Sequence, residues 1–163
     1  MFFITKFGVA LILLSLLTIN AFAQTTRTIT GKIIDERLDI PYQAKIYKED
    51  TTLLATADIN GNFKIAIGPE TKFLLVACLN MEWKHIDLTD SCTDLEIILM
   101  YSVIYDFMSA RKIDRLRKKR FDKLPELYQS AYAKGIFKME KQCYQNKFVP
   151  IKDRLKQIQK DRN

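Results

Sequence analysis

A series of short strand-like segments fills residues 27 to 100, and it constrains the fold more than any other feature. In the first segment, from Arg27 to Ile34, Ile29 and Ile33 alternate with polar side chains, as in a strand with one buried face. Spacings of about 8 to 12 residues between segments leave no room for intervening helices. The sequence therefore predicts seven strands in an antiparallel β-sandwich. The later segments are 42–47, 53–58, 63–67, 72–79, 83–88 and 95–100.

The Asn60-Gly61 pair is the strongest local signal in this region. Both residue types tolerate the positive φ angles that a tight two-residue turn requires. The pair stands between segments 53–58 and 63–67, so the sequence predicts a hairpin there. Asp58 is expected to cap the backbone of this turn with its carboxylate.

Three stretches of this region carry a resemblance to a known family: ITGKIIDE from Ile29, YQAKIYKEDTTLLATADINGNFKIAI from Tyr42, and KFLLVAC from Lys72. They resemble the carboxypeptidase-regulatory-like domain, especially its form in exported proteins of the Bacteroidetes. The resemblance implies a transthyretin-like β-sandwich over residues 24–100, with a role in docking, folding support or ligand contact. Where the family often has glycine after its long apolar strand, this chain has Asn80, which also tolerates a left-handed conformation.

The family's name does not predict a zinc peptidase here. Zinc carboxypeptidases bind their metal with two histidines and a glutamate, whereas His85 is the one histidine of this chain. The cysteines are too far apart in sequence to supply a zinc motif. We therefore expect no metal and no cofactor.

The first 23 residues have the pattern of a secretory signal peptide. Lys6 precedes an apolar run that ends at Ala21-Phe22-Ala23, a cleavage motif. The run is shorter than the roughly 20 residues that span a bilayer, and we expect no transmembrane segment in the mature chain. The predicted location is the periplasm or the periphery of the outer membrane.

The three cysteines leave at least one thiol unpaired. In an exported protein, Cys78 and Cys92 are the first candidates for a disulfide, because they flank neighbouring strands. Cys143 lies in the tail. The alternative that Cys78 is a small apolar core residue stays open.

Charge divides the chain near residue 100. Residues 24–100 carry 8 Lys and Arg against 12 Asp and Glu, whereas residues 101–163 carry 17 against 7. Apolar spacing in the basic part predicts helices over 103–120, 125–134 and 150–161, with 136–149 as a loop. The first helix carries the cations Arg111, Lys112, Arg115, Arg117, Lys118, Lys119 and Arg120.

Two interpretations of this cationic helix follow. It forms a solvated face that packs on the acidic β domain, or it contacts an anionic lipid or lipopolysaccharide. Nucleic acid is not an expected partner, since the chain shows neither a reading helix nor a stacking platform.

These features together predict a non-catalytic accessory or binding protein of the cell envelope that contacts a protein or glycan. The alternative is a small hydrolase or metal-dependent enzyme, in which His85 and nearby carboxylates such as Asp87 would do acid–base work.

Overall fold

The computed structural model of the protein describes residues 26–89, 91–103, 107–151 and 153. The predicted signal peptide lies outside these residues. Each of the seven predicted strands is present, and the fold is mostly β. The strands are β1 (Arg27–Asp35), β2 (Lys45–Lys48), β3 (Leu53–Thr56), β4 (Asn62–Ile67), β5 (Phe73–Ala77), β6 (Lys84–Asp87) and β7 (Asp94–Leu99).

The strands form two sheets. One has three strands in the order β4-β1-β7, and the other has four in the order β3-β2-β5-β6. The four-stranded sheet is antiparallel, but β1 runs parallel to β7, with Thr30 opposite Asp94 and Asp35 opposite Leu99. The prediction of an all-antiparallel arrangement was therefore wrong. The chain crosses between the sheets after β6 and enters β7 beside the beginning of β1, so the two strands share one direction.

The Asn60-Gly61 turn is present, but it does not close a hairpin. Gly61 has φ +76° and its N–H donates to the Asp58 carbonyl oxygen at 2.9 Å. The Asp58 carboxylate accepts from the N–H groups of Asn60 and Asn62, as expected for a capping aspartate. However, β3 pairs with β2 while β4 pairs with β1, so the turn carries the chain from one sheet to the other.

Apolar side chains from both sheets form one hydrophobic core. Ile29 and Ile33 of β1 and Leu95 and Ile97 of β7 are fully buried in it, together with side chains of the four-stranded sheet. This burial follows the alternation seen in the sequence, because successive side chains of a strand point to opposite faces. The residues contributed by the four-stranded sheet include Ile46, Leu74, Val76 and Ile86.

The other face of the three-stranded sheet is buried as well. Ile34 and Ile98 point away from the first core and pack in a second one with Leu124, Tyr128 and Phe137. The basic part of the chain thus covers this sheet, which is why β7 is apolar at successive positions.

Gly31 is required by the close packing within the three-stranded sheet. Its Cα faces the ring of Phe63 and the carbonyl oxygen of Leu95 so closely that a Cβ would collide with both. Gly31 and Phe63 are directly paired across β1 and β4.

Two helices follow the strands: α1 (Ala110–Phe121) and α2 (Leu124–Ala133). The second matches its prediction, but the first begins later than position 103, because Phe107 adopts φ +58° and Ser109 is extended. The predicted loop 136–149 contains neither helix nor strand. The predicted third helix lies largely outside the described residues. No helix in the described part of the chain is long and apolar enough to cross a bilayer.

The disulfide joins Cys92 to Cys143, with their Cα atoms 5.5 Å apart, and Cys78 is a free thiol. The predicted Cys78–Cys92 pair was therefore wrong. Cys92 precedes β7, whereas Cys78 follows β5 near the other end of β7, where Met81 bridges to Tyr101. Because a disulfide needs Cα atoms within about 7 Å, cysteines at opposite ends of a strand cannot pair.

Candidate functional site

The seven cations of α1 divide into two groups. Arg117 is buried and Arg120 is partly buried, and both lie against the β domain. The remaining five are exposed. They are Arg111, Lys112, Arg115, Lys118 and Lys119.

Arg117 holds three parts of the chain together. Its Nε and Nη2 donate to the two carboxylate oxygens of Glu82 at 3.1 and 2.7 Å. Its Nη1 donates to Asp114 at 3.3 Å and to the Val149 carbonyl oxygen at 3.1 Å. The hydrogen bonds and charge of Glu82 raise the pKa of the Arg117 guanidinium further. This arginine is therefore a structural cation that fixes α1 to the loop before β6.

Arg120 fixes the end of α1 in the same way. It forms an ion pair with Glu36 and donates to the Tyr101 carbonyl oxygen at 3.0 Å. The Tyr101 hydroxyl in turn donates to Asp35, whose buried carboxylate also accepts two backbone N–H groups of the following loop. The hydrogen bond to Asp35 raises the pKa of Tyr101. These two arginines of α1 thus pack against carboxylates of residues 24–100.

The outward face of α1 remains strongly cationic. Its five exposed cations recur at spacings of three and four residues, which places them on one side of a helix. Lys118 pairs with Asp122 along the helix. Among the described residues, no ion pair involves the other four, which are Arg111, Lys112, Arg115 and Lys119. We call these four residues the cationic face.

A cavity of about 520 Å³ lies between β6, α1 and residues 146–149. Its walls are mainly apolar, with Ile98 and Met100 from the sheet and Phe121 and Phe148 from the basic part of the chain. The volume falls within the range of about 300–1000 Å³ that is typical of small-molecule sites.

Lys84 contributes a buried amine to the wall of this cavity. Its Nζ donates to the Ile98 carbonyl oxygen at 2.9 Å and lies 5.5 and 6.0 Å from the ring centroids of Tyr144 and Tyr128. Burial lowers the pKa of the Lys84 amine to about 7, since a low-dielectric environment disfavours the charged form.

The alternation of the sequence indicates that Lys84 is buried, although lysine is usually an exposed residue. In the alternation of segment 83–88, Lys84 shares a side with Ile86 and Leu88, and Ile86 is fully buried. A lysine in register with core residues indicates a buried amine. Its partners could not be predicted, because Tyr128 and Tyr144 lie more than forty residues away in sequence.

Replacing Lys84 with Met is expected to change how stability depends on pH. The folded pKa of Lys84 lies below its unfolded value of 10.5, so folding releases a proton between pH 7 and 10.5. The free energy of unfolding of the wild type should therefore rise relative to Lys84→Met with increasing pH, by about 2 kcal/mol from pH 7 to 9. Urea unfolding at several pH values measures the difference. Parallel stability curves would contradict a buried amine.

The residues of the hydrolase alternative lie on β6 and in the loop before it. The His85 ring lies 5.4 Å from that of Phe73, tilted by 40°. Of the carboxylates near it, Asp87 forms an ion pair with Lys147 and Glu82 pairs with Arg117. Within the described ranges, no group of three His, Cys, Asp or Glu side chains could hold a metal ion.

Aromatic side chains lie on the outer side of the four-stranded sheet, beside the cavity. The rings of Tyr47 and Trp83 are parallel, with centroids 6.1 Å apart, and Trp83 is 55% exposed. With Phe73 and His85 they form an aromatic patch, and we use this name for these four residues below.

Comparison with known proteins finds no protein-family model and no curated protein that matches this chain.

Proposed function

We propose that this chain is a non-catalytic, exported accessory protein of the bacterial cell envelope, which docks on an anionic surface through the cationic face of α1. Its β domain is a carboxypeptidase-regulatory-like sandwich of the transthyretin type, and it contacts a protein or glycan partner. The observation that carries the proposal is that two cations of α1, Arg117 and Arg120, pack against the β strands, whereas the cationic face points to solvent.

Arg117 and Arg120 matter for the proposal because they fix the orientation of α1, and with it the orientation of the cationic face. The bidentate contact of Arg117 with Glu82 and the ion pair of Arg120 with Glu36 hold the C-terminal part of α1 against the β strands. The cationic face then points to solvent as a rigid group of like charges, whose field attracts anionic headgroups. Each basic residue near an anionic bilayer contributes about 1 kcal/mol of attraction.

Two observations support the proposed family and partner. Three residues in the stretches that resemble the family have clear structural roles. Gly31 allows close packing between strands, and the carboxylates of Asp35 and Asp58 cap the loops that follow them. The aromatic patch offers exposed ring surface of the kind that is enriched in binding sites. Because Trp83 of this patch is 55% exposed, its ring is available for contact with a partner.

Liposome binding tests the cationic face directly. The mature protein should bind vesicles rich in phosphatidylglycerol at low salt and lose affinity as salt rises, because surface charges are screened. Replacing all four residues of the cationic face with Gln should weaken binding roughly 1000-fold, since each contributes about 1 kcal/mol. Vesicles of phosphatidylcholine alone should bind neither protein.

A charge-matched control separates position from net charge. Lys45, Lys64, Lys72 and Lys134 are exposed on other surfaces, so replacing these four with Gln removes the same charge. This control should bind nearly as well as the wild type. Equal losses in the two variants would mean that binding follows net charge alone, and the proposed docking face would be wrong.

A further inference from the structure

The cavity beside Lys84 combines apolar walls with two unsatisfied polar groups. An ammonium has three donors, and among the described residues the Lys84 Nζ has one hydrogen-bond acceptor, the Ile98 carbonyl oxygen. Asn146 also lines the cavity, and its Oδ1 is buried with no partner within the described part of the chain. Buried polar atoms are rarely left unpaired, so these groups are candidates to bind a polar group of a ligand.

We infer that this cavity binds a small apolar ligand with a single carboxylate, such as a medium-chain fatty acid, whose carboxylate is held by Lys84 and the amide of Asn146. The ligand's apolar body would lie against Phe121 and Phe148. This site is distinct from the cationic face, which lies on the opposite side of α1.

The charges around the cavity favour one negative charge on the ligand. Glu82 is neutralised by Arg117, and Asp87 by Lys147. Lys84 has no carboxylate partner among the described residues, and the groups around its amine are the phenols of Tyr128 and Tyr144. His85 is the remaining titratable side chain in the cavity wall. A monoanion would therefore pair with Lys84 without an excess of charge on either side.

The walls argue for an apolar ligand rather than a sugar or a phosphate. Ile98, Met100, Phe121 and Phe148 offer no hydrogen bonds from their side chains. The charged side chains that also line the cavity are largely engaged with one another, Glu82 with Arg117 and Asp87 with Lys147, so a ligand with many hydroxyl groups would lose hydration with little compensation. Because Arg117 and Lys147 in the wall are already paired with carboxylates, the Lys84 amine would be the main counter-charge, which is weak for a dianionic phosphate. The Asn146 amide can turn over about its terminal bond and present Nδ2 to a carboxylate, since the two orientations have nearly the same shape.

Binding should be coupled to proton uptake. The free amine is largely neutral at pH 8, because burial lowers the pKa of Lys84 to about 7. A bound carboxylate favours the ammonium form, so the complex takes up a proton as it forms. At pH 6 the amine is already protonated and little uptake is expected.

Calorimetry with decanoate, below its micelle-forming concentration, tests the inference. Titrations at pH 8 in buffers of different ionisation enthalpy should show uptake of at least half a proton per decanoate, and uptake near zero at pH 6. Lys84→Met should weaken binding at least tenfold and abolish the uptake. Decanol, which has the same chain but no carboxylate, should bind at least tenfold more weakly than decanoate.

His85→Gln is the matched control, because histidine titrates near neutral pH and lies in the same cavity. Proton uptake should persist in this variant. Uptake that disappears with His85, equal binding of decanol, or decanoate affinity unchanged by Lys84→Met would each overturn the inference. The cationic-face variant should bind decanoate normally, so failure here is distinguishable from failure of surface docking.

Discussion

Replacing Arg117 with Met should lower the free energy of unfolding by about 3–5 kcal/mol, the usual cost of removing one partner of a buried ion pair. The Arg117 side chain is 9% exposed, and its loss leaves the carboxylates of Glu82 and Asp114 without their cation. The Val149 carbonyl oxygen also loses its donor. Urea unfolding at pH 7 measures the change.

Arg115→Met is the control, since Arg115 is exposed two residues away on the same helix. It should change stability by less than about 0.5 kcal/mol. In a double-mutant cycle, adding Glu82→Gln to Arg117→Met should cost much less than Glu82→Gln does alone. Additive effects, or a loss below about 1 kcal/mol in Arg117→Met, would show that this ion pair does not hold α1 in place.

Removing the Cys92–Cys143 disulfide should lower stability by about 4 kcal/mol. The bond closes a loop between positions 51 residues apart, and a cross-link over such a distance restricts the unfolded chain strongly. The variant Cys92→Ser with Cys143→Ser, compared with the oxidised wild type by urea unfolding, measures the effect. Reducing the wild type should bring it to the same stability.

Peptide mapping under non-reducing conditions checks the connectivity itself. Cys78 should be alkylated once the protein is unfolded, without any reductant, while the peptides containing Cys92 and Cys143 remain linked. Cys78→Ser should leave the linkage and most of the stability unchanged. Recovery of a linked peptide containing Cys78 would contradict the arrangement of the strand ends described above.

The sequence predicted the strands well because each one buries a face, and burial produces alternation that can be read locally. Local alternation does not show which strand pairs with which. The Asn60-Gly61 turn was correct as a turn, but whether β4 pairs with β3 or with β1 depends on contacts such as Gly31 against Phe63. The parallel pairing of β1 with β7 joins residues more than sixty positions apart, beyond the reach of any local pattern.

The candidate site was predictable only in part, for a related reason. The cationic character of α1 follows from composition and helical spacing. Which of these cations pack against the β strands depends on where the acidic partners lie. Glu82 and Glu36 lie in loops, and the sequence does not indicate the positions of those loops. The disulfide was missed because Cys143 belongs to a segment without periodicity, which nevertheless buries Tyr144 in the core.

The position of β1 has a consequence for how the nascent chain folds. β1 is the middle strand of its sheet, and its two neighbours are β4 and β7. Among the described strands β1 emerges first, so it keeps an unpaired edge until the chain has emerged as far as Leu99, of 163 residues. Folding that depends on such distant pairing is slow, and open strand edges invite association with other chains. The interval before β7 arrives is thus the time at which this protein is most vulnerable to aggregation.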